Sequence, residues 1–174
     1  MDRVKKTNRN GSLLGPGLAI RDAIEDDAQP ISDLMIDSAR EFFADDFSEA
    51  GMAHFMDDCG VAVLENRIRA GDHYYVAVID DVIAGVCAIR RGNHLYSLFT
   101  DSAFHRRGVA RSLWERALQD IRDSGYEEVT VKASNYAVPA YERLGFVRIG
   151  PGEEESGIVS NPMLYKLGSE RNLI

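Results

Sequence analysis

The chain reads Leu95-Tyr96-Ser97-Leu98-Phe99-Thr100-Asp101, then Ser102-Ala103-Phe104, then His105-Arg106-Arg107-Gly108-Val109-Ala110-Arg111. The first segment is typical of a β-strand, and the last opens an amphipathic helix that we expect over residues 106–124. Apolar residues recur along one face of this helix, at Ala110, Leu113, Trp114, Ala117, Leu118 and Ile121. Gly125 stands where a glycine commonly ends a helix. The pattern therefore predicts a strand, a glycine-containing turn and a helix in direct succession.

The turn has the features of an anion-binding site. The first backbone N–H groups of a helix have no partner within it, and the helix dipole is positive at that end. Gly108 and Ala110 are small where a larger side chain would block a phosphate. The chain carries a net charge of −8, yet residues 105–116 hold four arginines and a single acid. An ion-paired, solvated helix face is the alternative, but three arginines cluster at the turn and favour an anionic ligand: Arg106, Arg107 and Arg111.

Length and composition indicate one globular domain. The chain has 174 residues, of which 45% are hydrophobic and 28% charged, as in ordinary soluble proteins. No apolar run is long enough to span a membrane and no signal-peptide core follows the basic start, so we expect a cytoplasmic protein without membrane partners. The acidic balance argues against nucleic-acid binding, and two cysteines and four scattered histidines indicate neither a disulfide framework nor a metal site. We expect a flexible arm at residues 1–16 and the domain at residues 17–174.

The other segments predict a mixed α/β fold. The strands are expected at residues 18–24, 74–79, 82–89, 95–100, 128–133, 146–149 and 158–167. Besides the central helix, helical patterns lie at residues 26–42, 48–70 with an interruption near Gly60, and 136–144. Asp80-Asp81 is a plausible hairpin turn. Since the central helix joins strands 95–100 and 128–133, these two should pair in parallel within a mostly antiparallel sheet of about seven strands and about four helices.

Two segments carry a family resemblance. The run from Leu95 to Trp114 and the segment from Ala133 to Phe146, together with the element order, resemble the GNAT superfamily of acyl-CoA-dependent N-acyltransferases. The superfamily signature is Gln/Arg-x-x-Gly-x-Gly/Ala; here His105 stands first, and Gly108 and Ala110 match. The spacing from Asn135 to Tyr141 is one residue shorter than in many members. The resemblance covers roughly residues 17–167.

The resemblance implies acetyl-CoA as co-substrate, without a metal. In this superfamily the strand before the turn splays away from its parallel neighbour, and pantetheine inserts between them. The cofactor-binding residues implied here are Leu98, Phe99, Thr100, Arg106, Arg107, Gly108, Val109, Ala110, Arg111 and Asn135. Tyr141 is implied as the catalytic residue, because a phenol of pKa near ~10 can protonate a thiolate whose conjugate acid has a pKa near ~8.5. A buried core tyrosine is the alternative.

The acceptor side is less specified. His94, Tyr96 and Leu98 alternate onto one strand face, so His94 and Tyr96, with Phe42 from the first helix, are candidate substrate-binding residues. The proton acceptor is open among His54 and several acids. We hypothesise that a cationic amine is recognised by acids of the 41–49 region or of the loop between the last two strands: Glu41, Asp45, Asp46, Glu49, Glu153, Glu154 and Glu155.

Three functional interpretations follow. The first is an N-acetyltransferase that moves an acetyl group from acetyl-CoA to a primary amine of a small molecule or peptide, by direct attack on the thioester. A non-catalytic acyl-CoA-binding sensor is the second. A different phosphate ligand, such as a nucleotide, is the third, and it is disfavoured because no Gly-x-x-x-x-Gly-Lys-Ser/Thr or Gly-x-Gly-x-x-Gly pattern occurs at a strand-to-helix junction. A homodimer is a further expectation from the resemblance.

Overall fold

The computed structural model describes residues 17–168. The predicted arm at residues 1–16 lies outside the described residues, as do the last six residues of the predicted domain. The helices are α1 (Ala28–Phe42), α2 (Glu49–Asp58), α3 (Val61–Arg69), α4 (Val109–Asp123) and α5 (Val138–Leu144). The strands are β1 (Leu18–Asp22), β2 (His73–Ile79), β3 (Val82–Arg90), β4 (His94–Thr100), β5 (Glu128–Ala133), β6 (Val147–Arg148), β7 (Glu153–Glu155) and β8 (Ile158–Lys166).

The strands form one mixed sheet in the order β1-β2-β3-β4-β5-β8-β6, with β7 paired to β8. Every described pairing is antiparallel except that of β4 with β5. The predicted fold class is thereby confirmed. The hairpin between β2 and β3 turns at Asp80 and Asp81, whose φ angles of 50° and 63° are those of a tight turn that matches the twist of the strands.

The interruption predicted near Gly60 is confirmed, because the extended backbone of Gly60 divides the helical region at 48–70 into α2 and α3. Another element differs from the sequence prediction. The segment Glu153–Glu155, expected to be a loop, is the strand β7. Three consecutive glutamates show no alternation of polar and apolar residues, and this strand is defined by its hairpin with β8. The connecting residues Ser156 and Gly157 have φ angles of 52° and 77°.

The core lies on both faces of the sheet. One face packs against α4, whose buried residues are Val109, Leu113, Trp114, Ala117, Leu118 and Ile121. The other packs against α1 and α3. Helix α4 begins three residues later than predicted because Arg106 and Gly108 have φ angles of 61° and 78°, so Val109 joins the buried stripe and Ala110 lies at its edge. Among residues 17–168 no helix combines the length and apolar character needed to cross a membrane.

The two parallel strands, β4 and β5, diverge after a short paired segment. Strands β4 and β5 pair only at His94–Thr130 and Leu95–Val131. Beyond these pairs, β4 stays with β3 and β5 stays with β8. A hydrogen-bonded group holds the end of β5: the Asn135 amide N–H donates to Asp46 at 2.8 Å, and Asn161 Nδ2 donates to Asn135 Oδ1 at 3.0 Å. The end of β4 is therefore left without a strand on one side.

Candidate active site

A first cavity of about 840 Å³ lies where β4 ends and α4 begins, and we call it the helix-end cavity. Residues from the end of β4, the start of α4 and one side of α5 line it. The predicted ligand-binding residues that line it are Leu98, Phe99, Thr100, Arg106, Gly108, Val109, Ala110 and Arg111. The structure thus brings these eight residues together around one concave surface at the strand–turn–helix junction.

Free hydrogen-bond donors face this cavity from the start of α4. The first helical hydrogen bond runs from Ser112 N to Gly108 O at 3.0 Å, so the N–H groups of Val109, Ala110 and Arg111 precede the helical ladder. Gly108 occupies the position before the helix with a φ of 78°, and a Cβ atom placed there would meet nothing within 4 Å. These N–H groups and the positive helix end suit a phosphate.

The three arginines of the turn are placed differently. Arg106 and Arg111 line the helix-end cavity. Arg107 is exposed, and its guanidinium carbon lies 5.3 Å from the centre of the Phe104 ring. Arg106 and Arg111 can therefore supply charge to an anion in this cavity, whereas Arg107 is stacked on Phe104.

The end of β4 offers a second set of polar groups. Leu98, Phe99 and Thr100 lie opposite β3 residues on one side, while β5 has diverged on the other. Thr100 Oγ1 is buried and has no hydrogen-bond partner among residues 17–168. An unpaired buried hydroxyl is costly, and a polar ligand along this strand edge would satisfy it.

A second cavity of about 560 Å³, the sheet cavity, lies over β4 and the end of β5. Side chains of α2 and of the β7–β8 hairpin also line it. Five residues belong to the linings of both cavities: Phe43, Leu98, Phe99, Ala137 and Tyr141. The two cavities thus meet at Tyr141, which the sequence analysis identified as the catalytic candidate.

Tyr141 is held firmly at this junction. It lies in α5, is 7% exposed, and packs edge-on against Phe146 with ring centres 5.4 Å apart. Burial raises the pKa of its phenol above the usual value, because a phenolate would lose its hydration. Tyr141 therefore carries its proton at neutral pH.

Cationic side chains dominate the sheet cavity. Arg90, Arg91 and Lys132 line it, and Glu155 is the single carboxylate among the described residues that do so. Lys132 Nζ donates to Glu155 Oε2 at 2.6 Å. The guanidinium carbon of Arg90 lies 4.2 Å from the centre of the Tyr96 ring. Six of the seven carboxylates proposed for acceptor recognition do not line this cavity, so its lining does not match the acidic recognition expected from the sequence.

The two histidines of this cavity differ in their surroundings. His94 Nδ1 lies 2.8 Å from Thr130 Oγ1. Burial lowers the pKa of His94, and the positive charges of Arg91, Lys132 and Arg90 lower it further. His54 also lines the cavity but is exposed. His94 is therefore a neutral imidazole at neutral pH.

Tyr96 belongs to a hydrogen-bonded group beneath the sheet cavity. Its hydroxyl donates to Asp58, which also accepts hydrogen bonds from Arg67. Burial opposes ionisation of Asp58, but the hydrogen bonds from Arg67 and Tyr96 outweigh it and lower the pKa of this carboxyl. The sequence analysis missed this pairing, because Asp58 and Tyr96 lie in different elements.

Other candidate residues are divided between the cavities. His94 and Tyr96 line the sheet cavity, as expected for an acceptor side, whereas Phe42 lines the helix-end cavity. Phe42 stacks on Tyr136 with ring centres 5.0 Å apart. Asn135 lines neither cavity; its side chain bonds to Asp46 and Asn161. The one sequence signal for the basic lining of the sheet cavity was the pair of neighbouring arginines before a turn, Arg90 and Arg91.

A family model described as the acetyltransferase (GNAT) domain matches residues 43–167. The chain also resembles human N-acetyltransferase 8, with 37% identity over 59 residues. That match spans 32% of this chain and 26% of the human protein, so the chain matches about a quarter of the length of this curated relative.

Solved structures share the fold. A GCN5-related N-acetyltransferase from Rhodopseudomonas palustris superposes with a TM-score of 0.77 at 20% identity, covering 90% of this chain and 100% of that chain. The PaiA N-acetyltransferase from Thermoplasma acidophilum, solved in complex with coenzyme A, has a TM-score of 0.72 at 15% identity, covering 86% and 99%. At these identities the likeness concerns the fold alone.

Proposed function

Because this chain belongs to the GNAT family of acetyltransferases, we propose that it transfers an acetyl group from acetyl-CoA to a primary amine of a small molecule or peptide. The observation that carries the proposal is the meeting of two cavities at Tyr141. One cavity has donors for a phosphate-bearing ligand, and the other opens to a separate molecule. A transferase needs both, joined at the reacting group.

The family supports acyl-CoA binding, and the residues of the helix-end cavity fit this ligand. The N–H groups of Val109, Ala110 and Arg111 would bind the pyrophosphate, with Arg106 adding charge outside it. Main-chain groups of the 98–100 segment would pair with pantetheine, as a neighbouring strand would. The unpartnered hydroxyl of Thr100 supports this assignment. Bound acetyl-CoA would supply an acyl thioester, whose carbonyl carbon is the electrophile.

Tyr141 provides the proton for the leaving group. The amine nitrogen forms a bond to the carbonyl carbon, the carbon–sulfur bond breaks, and its electron pair stays on sulfur. The Tyr141 hydroxyl donates its proton to that thiolate. The phenol carries its proton at neutral pH, but the burial that raises its pKa also makes it a weaker acid, so the donation depends on placement of the hydroxyl beside the leaving sulfur.

The sheet cavity would receive the amine, which must lose a proton in the reaction. His94 is neutral at neutral pH for the reasons given above. A neutral imidazole can accept a proton, and because His94 lies four residues before Leu98 along β4, the proton would reach it through a chain of water molecules. The aromatic side chains of Phe43, Phe55 and Phe99 line the inner part of the cavity and limit the access of water to the thioester.

A non-catalytic acyl-CoA sensor is the second candidate function. It needs the helix-end cavity alone, and no observation at the sheet cavity favours it. An acceptor panel of polyamines, aminoglycosides, amino acids and peptides, assayed by release of free thiol from acetyl-CoA, separates the two. Thiol release that depends on the acceptor supports the transferase. Tight acetyl-CoA binding without thiol release for any acceptor would support the sensor.

A further inference from the structure

The net charge of the side chains that line the sheet cavity is opposite in sign to that of the whole chain. The chain carries a net charge of −8, but three cations and one carboxylate line this cavity. Such a reversal of sign at a concave site attracts a ligand of negative charge. A polycation would be repelled from the same lining.

The cations are not all neutralised within the protein. Arg90 Nε lies 3.8 Å from Asp72 Oδ2, and Lys132 is paired with Glu155. Arg91 makes no ion pair or hydrogen bond with any residue of the range 17–168. A guanidinium has five N–H donors, and the ammonium of Lys132 has two further protons beyond the one given to Glu155. Donors are therefore available for the oxygens of an anion.

The sheet places these donors on one side of a shared surface. His94 lies opposite Thr130 in the parallel pair, and Lys132 follows two residues later on the same face. Arg91 and Lys132 both depress the pKa of His94, as expected of cations close to its imidazole. Leu98, at the junction of the two cavities, is four residues beyond His94, or about 13 Å along the strand. Lys132 lies two residues past Thr130 and is therefore nearer to that junction, so the cations are about 7–13 Å from it along the strands. We call the part of the cavity around Arg91, His94 and Lys132 its basic end.

We propose that the acceptor amine also carries an anionic group, a carboxylate or a phosphate, which Arg91 and Lys132 bind at the basic end of the sheet cavity. The proposal rests on the acetyl transfer proposed above, because it names the acceptor of that reaction. The amine points toward Tyr141 and the anion points away from it. A short carbon chain between the amine and the anion contacts the aromatic side chains of Phe43, Phe55 and Phe99.

The test compares amines of similar length that differ in their second end. With saturating acetyl-CoA at low salt, the KM of ε-aminocaproate should lie about tenfold or more below that of hexylamine, because charge-assisted hydrogen bonds form only with the carboxylate. Hexamethylenediamine should have the highest KM of the three. Aminopentyl phosphate distinguishes the two anions, since the preferred anion has the lower KM. Equal KM values for ε-aminocaproate and hexylamine would overturn the proposal while leaving the transferase intact.

Substitutions that remove charge test whether Arg91 and Lys132 cause the preference for an anionic amine. Arg91→Gln and Lys132→Gln should each raise the KM of ε-aminocaproate about tenfold. Arg122→Gln removes the same charge at the exposed end of α4 and should leave both amines unaffected. An equal effect of Arg122→Gln would indicate a general loss of positive charge and contradict the assignment.

A binding measurement separates this inference from the transferase proposal. If no amine is acetylated, the transferase proposal fails, and ε-acetamidocaproate is then titrated calorimetrically into the protein with coenzyme A present. Binding to the wild type that is lost in Arg91→Gln supports the anion site. Failure of the wild type to bind overturns it.

Discussion

Replacement of Gly108 by valine tests the helix-end cavity most directly. Gly108 has a φ of 78°, and a Cβ atom there would meet nothing within 4 Å. The valine would therefore fit without a clash, but an L-residue in this backbone region costs roughly 1–2 kcal/mol. This loss is small beside a typical folding stability of about 5–15 kcal/mol, so the variant should fold, with a Tm lower by about 2–8 °C.

The expected effect on binding is larger than the effect on stability. The valine side chain would extend into the space before the N–H groups of Val109, Ala110 and Arg111. Hydrogen bonds to a charged group contribute roughly 1.5–3 kcal/mol each. Loss of two of them would raise the Kd for acetyl-CoA about hundredfold or more. Calorimetric titration of the folded variant measures this Kd.

Gly125→Val provides the matched control. Gly125 lies just beyond the other end of α4, with a φ of 81° and nothing within 4 Å of an added Cβ atom. The two variants share the backbone strain, but only Gly108 borders the helix-end cavity. Gly125→Val should lower the Tm similarly and bind acetyl-CoA as the wild type does. A folded Gly108→Val protein with unchanged affinity would refute the assignment of this cavity.

Three further substitutions test the site and its support. Tyr141→Phe should lower kcat about hundredfold or more in steady-state kinetics while the acetyl-CoA Kd is unchanged, since only the proton donor is lost; equal kcat values would make Tyr141 a core residue. A Cβ atom on Gly51 would lie 2.1 Å from Gly157 O, so Gly51→Ala should destabilise by about 1–3 kcal/mol and raise the amine KM by displacing α2 from the β7–β8 turn. The control Gly152→Ala, whose Cβ atom would have only ordinary contacts, should change neither the stability nor the amine KM. Asp58→Asn should lower the free energy of unfolding by about 1–3 kcal/mol at pH 7 in denaturant titrations. Because the pKa of Asp58 is lowered in the folded protein, this stabilisation exists above the unfolded pKa near ~4 and disappears as the pH falls through the folded pKa. A difference in stability between wild type and variant that persists at low pH would contradict the role of this carboxylate.

Local patterns explain how much of the fold could be predicted. The strand β4, the turn at Gly108 and the helix α4 follow from period, glycine placement and charge within one continuous segment. The boundary of α4 was misplaced because the positive φ of Arg106 has no sequence signature. Strand β7 was missed because Glu153–Glu155 lacks alternation, and its pairing comes from the turn at Ser156.

The site was predictable only on its helix-end side. Residues of that cavity come mainly from the 98–111 segment and α5, which a motif can identify together. The basic lining of the sheet cavity was not predictable, because Arg91 and Lys132 are 41 positions apart in the chain and both reach this cavity only when β3, β4 and β5 lie side by side in one sheet. The expectation of acidic recognition relied on charge counts in two segments, and of these only Glu155 reaches the cavity.

The amino-acid sequence by itself determined the fold class and the strand–turn–helix segment, since both depend on neighbours along the chain. Tertiary structure decided where the two cavities meet, which charges line the sheet cavity and in which direction the pKa values of buried groups such as Tyr141 and His94 move. Tyr141 is an example, because its burial beside Phe146 raises the pKa of its phenol. Burial and electrostatic fields depend on the packing of distant segments, and such packing is absent from any local pattern.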